Sequence, residues 1–265
     1  MSLSRWFMGL PGVALLLFLP LPIIIVFGAS FNGSGFIQFP PESLSFRWYV
    51  ETFTDPRWAH AAWTSIWIAS VVAVVITAIS FLTAYFVIRY APRLNNALEM
   101  LIFSPLFFPH AAMGVAAVIL MAKLNLVGTS AAIVMAHLMV ALPFSYRPVH
   151  IALRSIDPDL VRAAEVLGAS EWRGLWDIVL PLCRSGLLTS LLFSAIISFD
   201  EVTVTMFLIG PDIRTLPVQI FTFIQDDASP VLAAISTLSV VITFLAIALL
   251  DRFAGLTFFV QRDAG

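Results

Sequence analysis

Two adjacent carboxylates, Asp200 and Glu201, stand in an otherwise apolar run. A carboxylate at the centre of a bilayer costs roughly 2.5–3.5 kcal/mol on insertion scales, so ionisable groups there mark pathways, relays or paired contacts. No Lys or Arg lies in the interior of the chain's long apolar runs to neutralise them. The pair must therefore face water, a basic group of another subunit, a histidine or a cationic solute. Adjacent helical residues diverge by about 100°, so only one of the two can point straight into a route; a structural contact or a gate is the competing reading. His110 and His137 are the other titratable groups at depth. A lone histidine in a helical membrane core is more often a satisfied hydrogen-bonding residue than a site. His110, His137 and Asp200 are scattered over three runs, which is not the clustering that a metal centre or an acid/base pair needs. A single cysteine, Cys183, excludes an internal disulfide framework and a multi-thiolate zinc site. The single lysine, Lys123, has no G-x-x-x-x-G before it, so there is no P-loop. No catalytic residue and no metal ligand is assigned, and any ATP that drives this protein is bound by another subunit.

Composition says what must position these groups. Of 265 residues, 60% are apolar and 11% charged, with a mean hydropathy of +0.97. Soluble domains carry about 25% charged residues, so the chain is an all-α, polytopic membrane protein. A formal charge of −2 argues against a nucleic-acid partner. Crossing about 30 Å of hydrocarbon takes roughly 20 apolar helical residues, and six such runs lie near 10–29, 64–88, 98–121, 130–147, 186–208 and 230–250. Nothing between them reads as a second domain, so 1–265 is one transmembrane unit. Pro11, Pro20 and Pro22 should bend the first run. Its apolar core, Leu10 to Phe27, is longer than the 7–15 residues of a signal peptide's apolar region, so it reads as an anchoring helix. Pro105 and Pro109 should break or kink the third run, and discontinuous helices often line cavities.

Orientation follows from the arginines. With the amino terminus inside, Arg5, Arg89, Arg93, Arg147, Arg154, Arg162, Arg173, Arg184, Arg252 and Arg262 fall on the cytoplasmic side, against Arg47, Arg57, Lys123 and Arg214 outside. This positive-inside bias puts both termini in the cytoplasm. Of the outside segments, 30–63 carries Trp48, Tyr49, Trp58 and Trp63, read most simply as an interfacial aromatic belt, with a docking surface for an external protein as the alternative. Residues 209–229 carry Pro211, Pro217, Asp226 and Asp227.

Between the fourth and fifth runs, residues 148–185 are far longer than the usual connection of about 4–6 residues. They are rich in charge of both signs, unlike the basic face of a helix that rests on lipid. Asp157 can cap a helix that starts at Pro158, with Leu160, Ala164 and Leu167 on one face. Gly168 is placed to end it with a positive φ. Ser170 can cap a second helix striped by Trp172, Leu175, Trp176 and Val179, and Pro181 should stop it. The spacing predicts two short helices joined by a tight glycine turn.

The run Arg162-Ala163-Ala164-Glu165-Val166-Leu167-Gly168, followed at the right distance by Ile178-Val179-Leu180-Pro181, resembles the EAA motif of bacterial ABC importer permeases. The resemblance extends over nearly the whole chain. It implies the type I importer permease fold, with 148–185 as a cytoplasmic coupling loop seated in a cleft of an ATP-binding subunit through Arg162, Ala163, Ala164, Glu165, Gly168, Ile178, Leu180 and Pro181. It also implies a multi-pass protein of the bacterial inner membrane. Arg162 stands where the motif has glutamate, which changes the local charge by two units, so a glutamate-mediated contact with the ATPase does not carry over. Arg162 should meet an acidic surface of the ATPase or pair with Glu165 at i+3.

Ser198-Phe199-Asp200-Glu201 with Leu208-Ile209-Gly210-Pro211, and Phe39-Pro40-Pro41 with Ser45-Phe46-Arg47-Trp48-Tyr49, look like the spermidine/putrescine branch of these permeases. That branch implies a homologous second permease subunit, a dimer of ATPase subunits that bind ATP and Mg, a periplasmic solute-binding protein and surrounding membrane lipid. It also contains carriers of amino-acid-like compounds, opines, aminoethylphosphonate and ferric iron. A secondary transporter is the alternative of another class; it predicts a pathway complete within one kind of subunit and gives no use to a charged loop. A membrane-embedded enzyme is the third, and lacks the clustered side chains it needs.

Overall fold

The computed structural model describes residues 12–226 and 229–254. Arg5, Pro11, Asp227 and Arg262, which entered the expectations above, lie outside them. Among the described residues the regular structure is helical, apart from one isolated bridge between Asn32 and Leu44. The fold groups the chain into two units. One holds the residues up to Ala59 together with Gln219–Phe244; the other holds His60–Val218 together with the residues from Leu245.

In the first unit, α1 (Gly12–Ala29) is apolar on every face and almost wholly exposed, as suits a helix surrounded by lipid. It slackens to a turn at Leu19 and Pro20, but Leu19 N–H still reaches Leu15 O and Ile24 N–H still reaches Pro20 O. A Cβ on Gly28 would sit 2.5 Å from the Phe39 ring, so only hydrogen fits there. The following loop is held to α2 (Arg47–Thr54) by Trp48 Nε1–H donating to Asn32 O at 2.6 Å and by a 2.6 Å bond between Tyr49 Oη and Ser30 Oγ. Trp58 is buried edge-on to Phe223. The expected aromatic belt is therefore corrected: Trp48 and Trp58 are packing residues, and of the tryptophans in 30–63 only Trp63 is exposed. An indole with a buried partner for its N–H gains more from packing than from the membrane interface.

The second unit carries most of the other long spans. α3 (Pro56–Tyr90) begins eight residues before the expected run, because Asp55 Oδ1 accepts from Arg57 N at 2.9 Å with Pro56 at the first helical position. The third run is broken where Pro105 and Pro109 are expected to break it, into α4 (Asn95–Phe103) and α5 (His110–Lys123); Pro92–Phe107 and His110–Lys123 are bent by 103° to each other. α6 (Ser130–Arg154) runs on to Arg154 through Pro143 and Pro148. Next come α7 (Pro158–Val166) and α8 (Glu171–Asp200). Pro181 does not stop α8 as expected. The turn Leu175–Val179 widens so that Leu180 N–H bonds to Leu175 O, which makes room for a ring that would otherwise crowd the carbonyl of Asp177. Of the expected 148–185 loop, the first residues thus continue α6 and the last begin α8. α8 ends at Asp200, earlier than expected, and α9 (Thr203–Met206) follows; α10 (Leu216–Asp226) belongs to the first unit from Gln219 on, and α11 (Val231–Ala254) belongs to it as far as Phe244. Among the described residues four helices, α1, α3, α6 and α8, are long and apolar enough to cross a membrane; the bent α4–α5 pair adds a fifth if it is counted as one span, and α11 is apolar over Val231–Leu245.

Buried hydroxyls lock three spans together. Ser80 Oγ of α3 donates to Ser145 Oγ of α6 at 2.8 Å; Ser145 meets Ser190 of α8 at 2.7 Å, and Ser190 meets Thr77 at 2.8 Å. Between membrane helices such bonds are worth about 0.6–2 kcal/mol each, so close packing carries the association. α6 and α8 approach closely at Gly186, where a Cβ would lie 2.4 Å from Ala152 Cβ and 2.8 Å from Pro148 O. Gly186→Val is expected to force α6 and α8 apart, at the roughly 1–3 kcal/mol of an overpacked core or more. The purified protein's thermal midpoint should drop by several degrees while that of Gly35→Ala, which meets open space, holds. Equal midpoints would contradict the close packing.

Candidate functional site

Two interrupted spans meet at one place. The break before α5 exposes its first residue, His110, and the break after α8 leaves Glu201 extended. His110 Nδ1 lies 3.2 Å from Glu201 Oε2. The other Glu201 oxygen accepts from Val204 N at 2.9 Å and so caps α9; this competing cap is why the fifth span breaks here. Gly114 of α5 lies against the Phe207 ring, where a Cβ would come within 2.3 Å. Directly behind, buried His137 of α6 bonds through Nδ1 to Ser198 Oγ at 2.8 Å and through Nε2 to Thr205 Oγ1 at 2.7 Å. Thr205 in turn donates to Glu201 O.

The four residues singled out at depth therefore converge, although sequence separates them over three runs. They do not share one role. Glu201 is buried and takes a histidine as its partner; His137 has both ring nitrogens engaged by hydroxyls, the bland reading of a lone membrane histidine. Asp200 is exposed and makes no hydrogen bond or ion pair among the described residues. It is the last residue of α8, where the helix dipole adds negative potential to its carboxylate. The described residues contain no group of three or more His, Cys, Asp or Glu placed to hold a metal. The arrangement offers an accessible negative point backed by a fixed polar scaffold, which suits passing contact with a cation.

The second candidate region is the segment around α7. Asp157 Oδ1 caps α7 through Asp159 N at 2.9 Å, and Gly168 has φ +90°. Gly168 N–H bonds to Glu165 O and Ala169 N–H to Ala164 O, closing the helix as the sequence anticipates. Ser170 then caps α8. The two expected stripes are split between inside and outside, with Leu175 and Val179 of the second buried. Val161 is buried, whereas Leu160, Val166, Leu167, Trp172 and Trp176 are exposed. Ala163 is exposed and Ala164 half-buried, while Ile178 and Leu180 pack on the core of Phe81, Ile102, Tyr146 and Val149. Pro181 is exposed on the first turn after the widened one. The motif thus divides into an inner edge that fastens the segment and an outer apolar face that no other described residue covers.

Arg162 pairs with Asp159 at 3.1 Å, both exposed, and not with Glu165 as one of its expected contacts. Glu165 is taken instead by Arg89 at the end of α3, which also lies 3.8 Å from Glu171; Tyr90 Oη donates to Glu171 as well. In the sequence Arg89 counts only as one of the cytoplasmic arginines, and Tyr90 carries no signal. Their partners lie 76 and 81 residues away, so no local spacing marks them.

Residues 77–256 match the family described as binding-protein-dependent transport system inner membrane component. The chain is 31% identical to a spermidine/putrescine transport system permease protein of Haemophilus influenzae, over 88% of this chain and 90% of that one. It is 26% identical to a putrescine transport system permease protein of Escherichia coli, over 83% and 81% of the two. In fold it is similar to a chain from the crystal structure of a bacterial ABC transporter involved in the import of the acidic polysaccharide alginate, with a TM-score of 0.69 over 96% of this chain and 98% of the other, at 19% identity.

Proposed function

The chain belongs to the binding-protein-dependent transport system inner membrane components, and we propose that within this family it carries a polyamine, spermidine or putrescine, or a related small amine, as one permease of an asymmetric pair. The observation that carries the solute class is Asp200. A carboxylate without a partner does not face hydrocarbon, and an amine leaving water needs a counter-charge. Two relatives named for spermidine and putrescine point the same way.

The assembly in this reading has a homologous second permease, two ATP-binding subunits that hold ATP and Mg, and a periplasmic solute-binding protein. Both termini lie in the cytoplasm, on the strength of the arginine distribution. The ATPase dimer closes and opens against the apolar face of Leu160, Val166, Leu167, Trp172 and Trp176. Arg89 and Tyr90, holding Glu165 and Glu171, pass that movement to α3, while Ile178 and Leu180 pass it to the core of α6 and α8. The break between α8 and α9, where His110 meets Glu201, changes access to the solute. Opening such a site alternately to either side requires a structure with two discrete arrangements, and interrupted helices supply the hinges.

Uptake in cells tests the solute. Labelled spermidine and putrescine should enter only when the gene for this chain is present, and unlabelled polyamine should compete. Aminoethylphosphonate, opines, amino-acid-like compounds and ferric iron should not. Polyamine uptake that survives deletion of the chain, in cells without another polyamine carrier, would overturn the assignment.

A further inference from the structure

A cavity of about 500 Å³ opens between α4, α6 and α8, with none of His110, His137, Asp200 or Glu201 in its lining, within the size range of roughly 300–1,000 Å³ that small-molecule sites have. Its walls are apolar: Phe103, Pro143, Phe144, Ile151 and Phe193. Thr189 also lines it, but its hydroxyl is already spent on Ser185 O at 2.8 Å. The one charge is Arg147, whose guanidinium carbon lies 5.9 Å from the centre of the Phe103 ring. Arg147 is exposed and has no carboxylate partner among the described residues. Counted from Ser130 at about 1.5 Å per residue, it sits roughly 25 Å along α6, close to the end of a hydrocarbon layer about 30 Å thick. Arg154 of α6 and Arg184 of α8 lie towards the same end.

An unpaired cation at headgroup depth, above a greasy pocket that runs inward from it, has the chemistry of an anionic amphiphile turned inside out. A cationic solute is disfavoured by Arg147, and a polar one by walls whose side chains, apart from Arg147, offer only the acceptor of the Thr189 hydroxyl. We infer that this cavity is a binding site for an anionic phospholipid, with one acyl chain against Phe144 and Phe193 and the phosphate on Arg147. Basic pockets between membrane helices take such headgroups, and the lipid meets the charge that the protein leaves unpaired.

The full-length chain, purified in its native assembly and placed in nanodiscs, tests this with phosphatidylglycerol or phosphatidylcholine bearing a photoreactive acyl chain. Labelling mapped to the segments around Phe144 and Phe193 should favour phosphatidylglycerol about fivefold, the effect of one cation near a charged surface. Arg147→Gln should abolish that preference and Arg147→Lys should keep it, which separates lost charge from lost folding. Equal labelling by the two lipids, a preference that survives Arg147→Gln, or crosslinks from these segments to another polypeptide in place of lipid would each overturn the site.

Discussion

Gly168→Val should abolish solute-stimulated ATP hydrolysis by the assembled transporter while the chain still inserts and folds. Gly168 has φ +90°, and a Cβ there meets open space, so the substitution acts through the backbone alone. A β-branched residue held at positive φ costs about 1–3 kcal/mol. The turn's two closing bonds, from Gly168 N–H and Ala169 N–H, would give way first. The exposed face would then be split, with Leu160, Val166 and Leu167 on one side of the turn and Trp172 and Trp176 on the other. Gly168→Asn, which tolerates the left-handed region better, should retain part of the stimulation. Normal stimulation in Gly168→Val would show that this segment does not carry the coupling.

Asp200→Asn is expected to reduce polyamine uptake at least about tenfold, equivalent to roughly 1.4 kcal/mol of lost stabilisation, with thermal stability and binding-protein affinity unchanged. The amide keeps shape and hydrogen bonding and removes only charge. Glu201→Gln should behave differently. Its carbonyl can still accept from Val204 N, but the contact with His110 loses its charge, so the change should appear in the stability of the purified protein. Parental uptake in Asp200→Asn would make the carboxylate structural. An anionic or zwitterionic solute would remove the counter-charge argument and favour an inter-subunit contact or a gate at this break.

What the sequence discloses is what local rules govern. Length and hydropathy place the spans, because a membrane demands about 20 apolar residues per crossing whatever the tertiary contacts. The caps at Asp157 and Ser170 and the left-handed Gly168 are equally legible, since each is settled within four or five residues. Long-range competition is not legible. Glu201 ends α8 because its carboxylate finds Val204 N and His110, and Trp48 leaves the interface because its indole finds Asn32 O. Pro181 fails to stop α8 because a widened turn absorbs it. Periodicity shows that Leu160 and Leu167 form a stripe but not which way it faces; only packing shows Val161 turned inward. The hydroxyl chain from Ser80 to Thr77 and the hold of Arg89 on Glu165 join residues whose partners lie in other spans.

The account centres on a permease that works only inside an ATP-driven assembly. Reconstitution into liposomes tests this most directly, with spermidine uptake measured for the complete complex and for this chain alone. Uptake by the complex should require both ATP and the solute-loaded binding protein, and the lone chain should transport nothing. Spermidine accumulation by the lone chain, driven by an ion gradient without ATP, would contradict it.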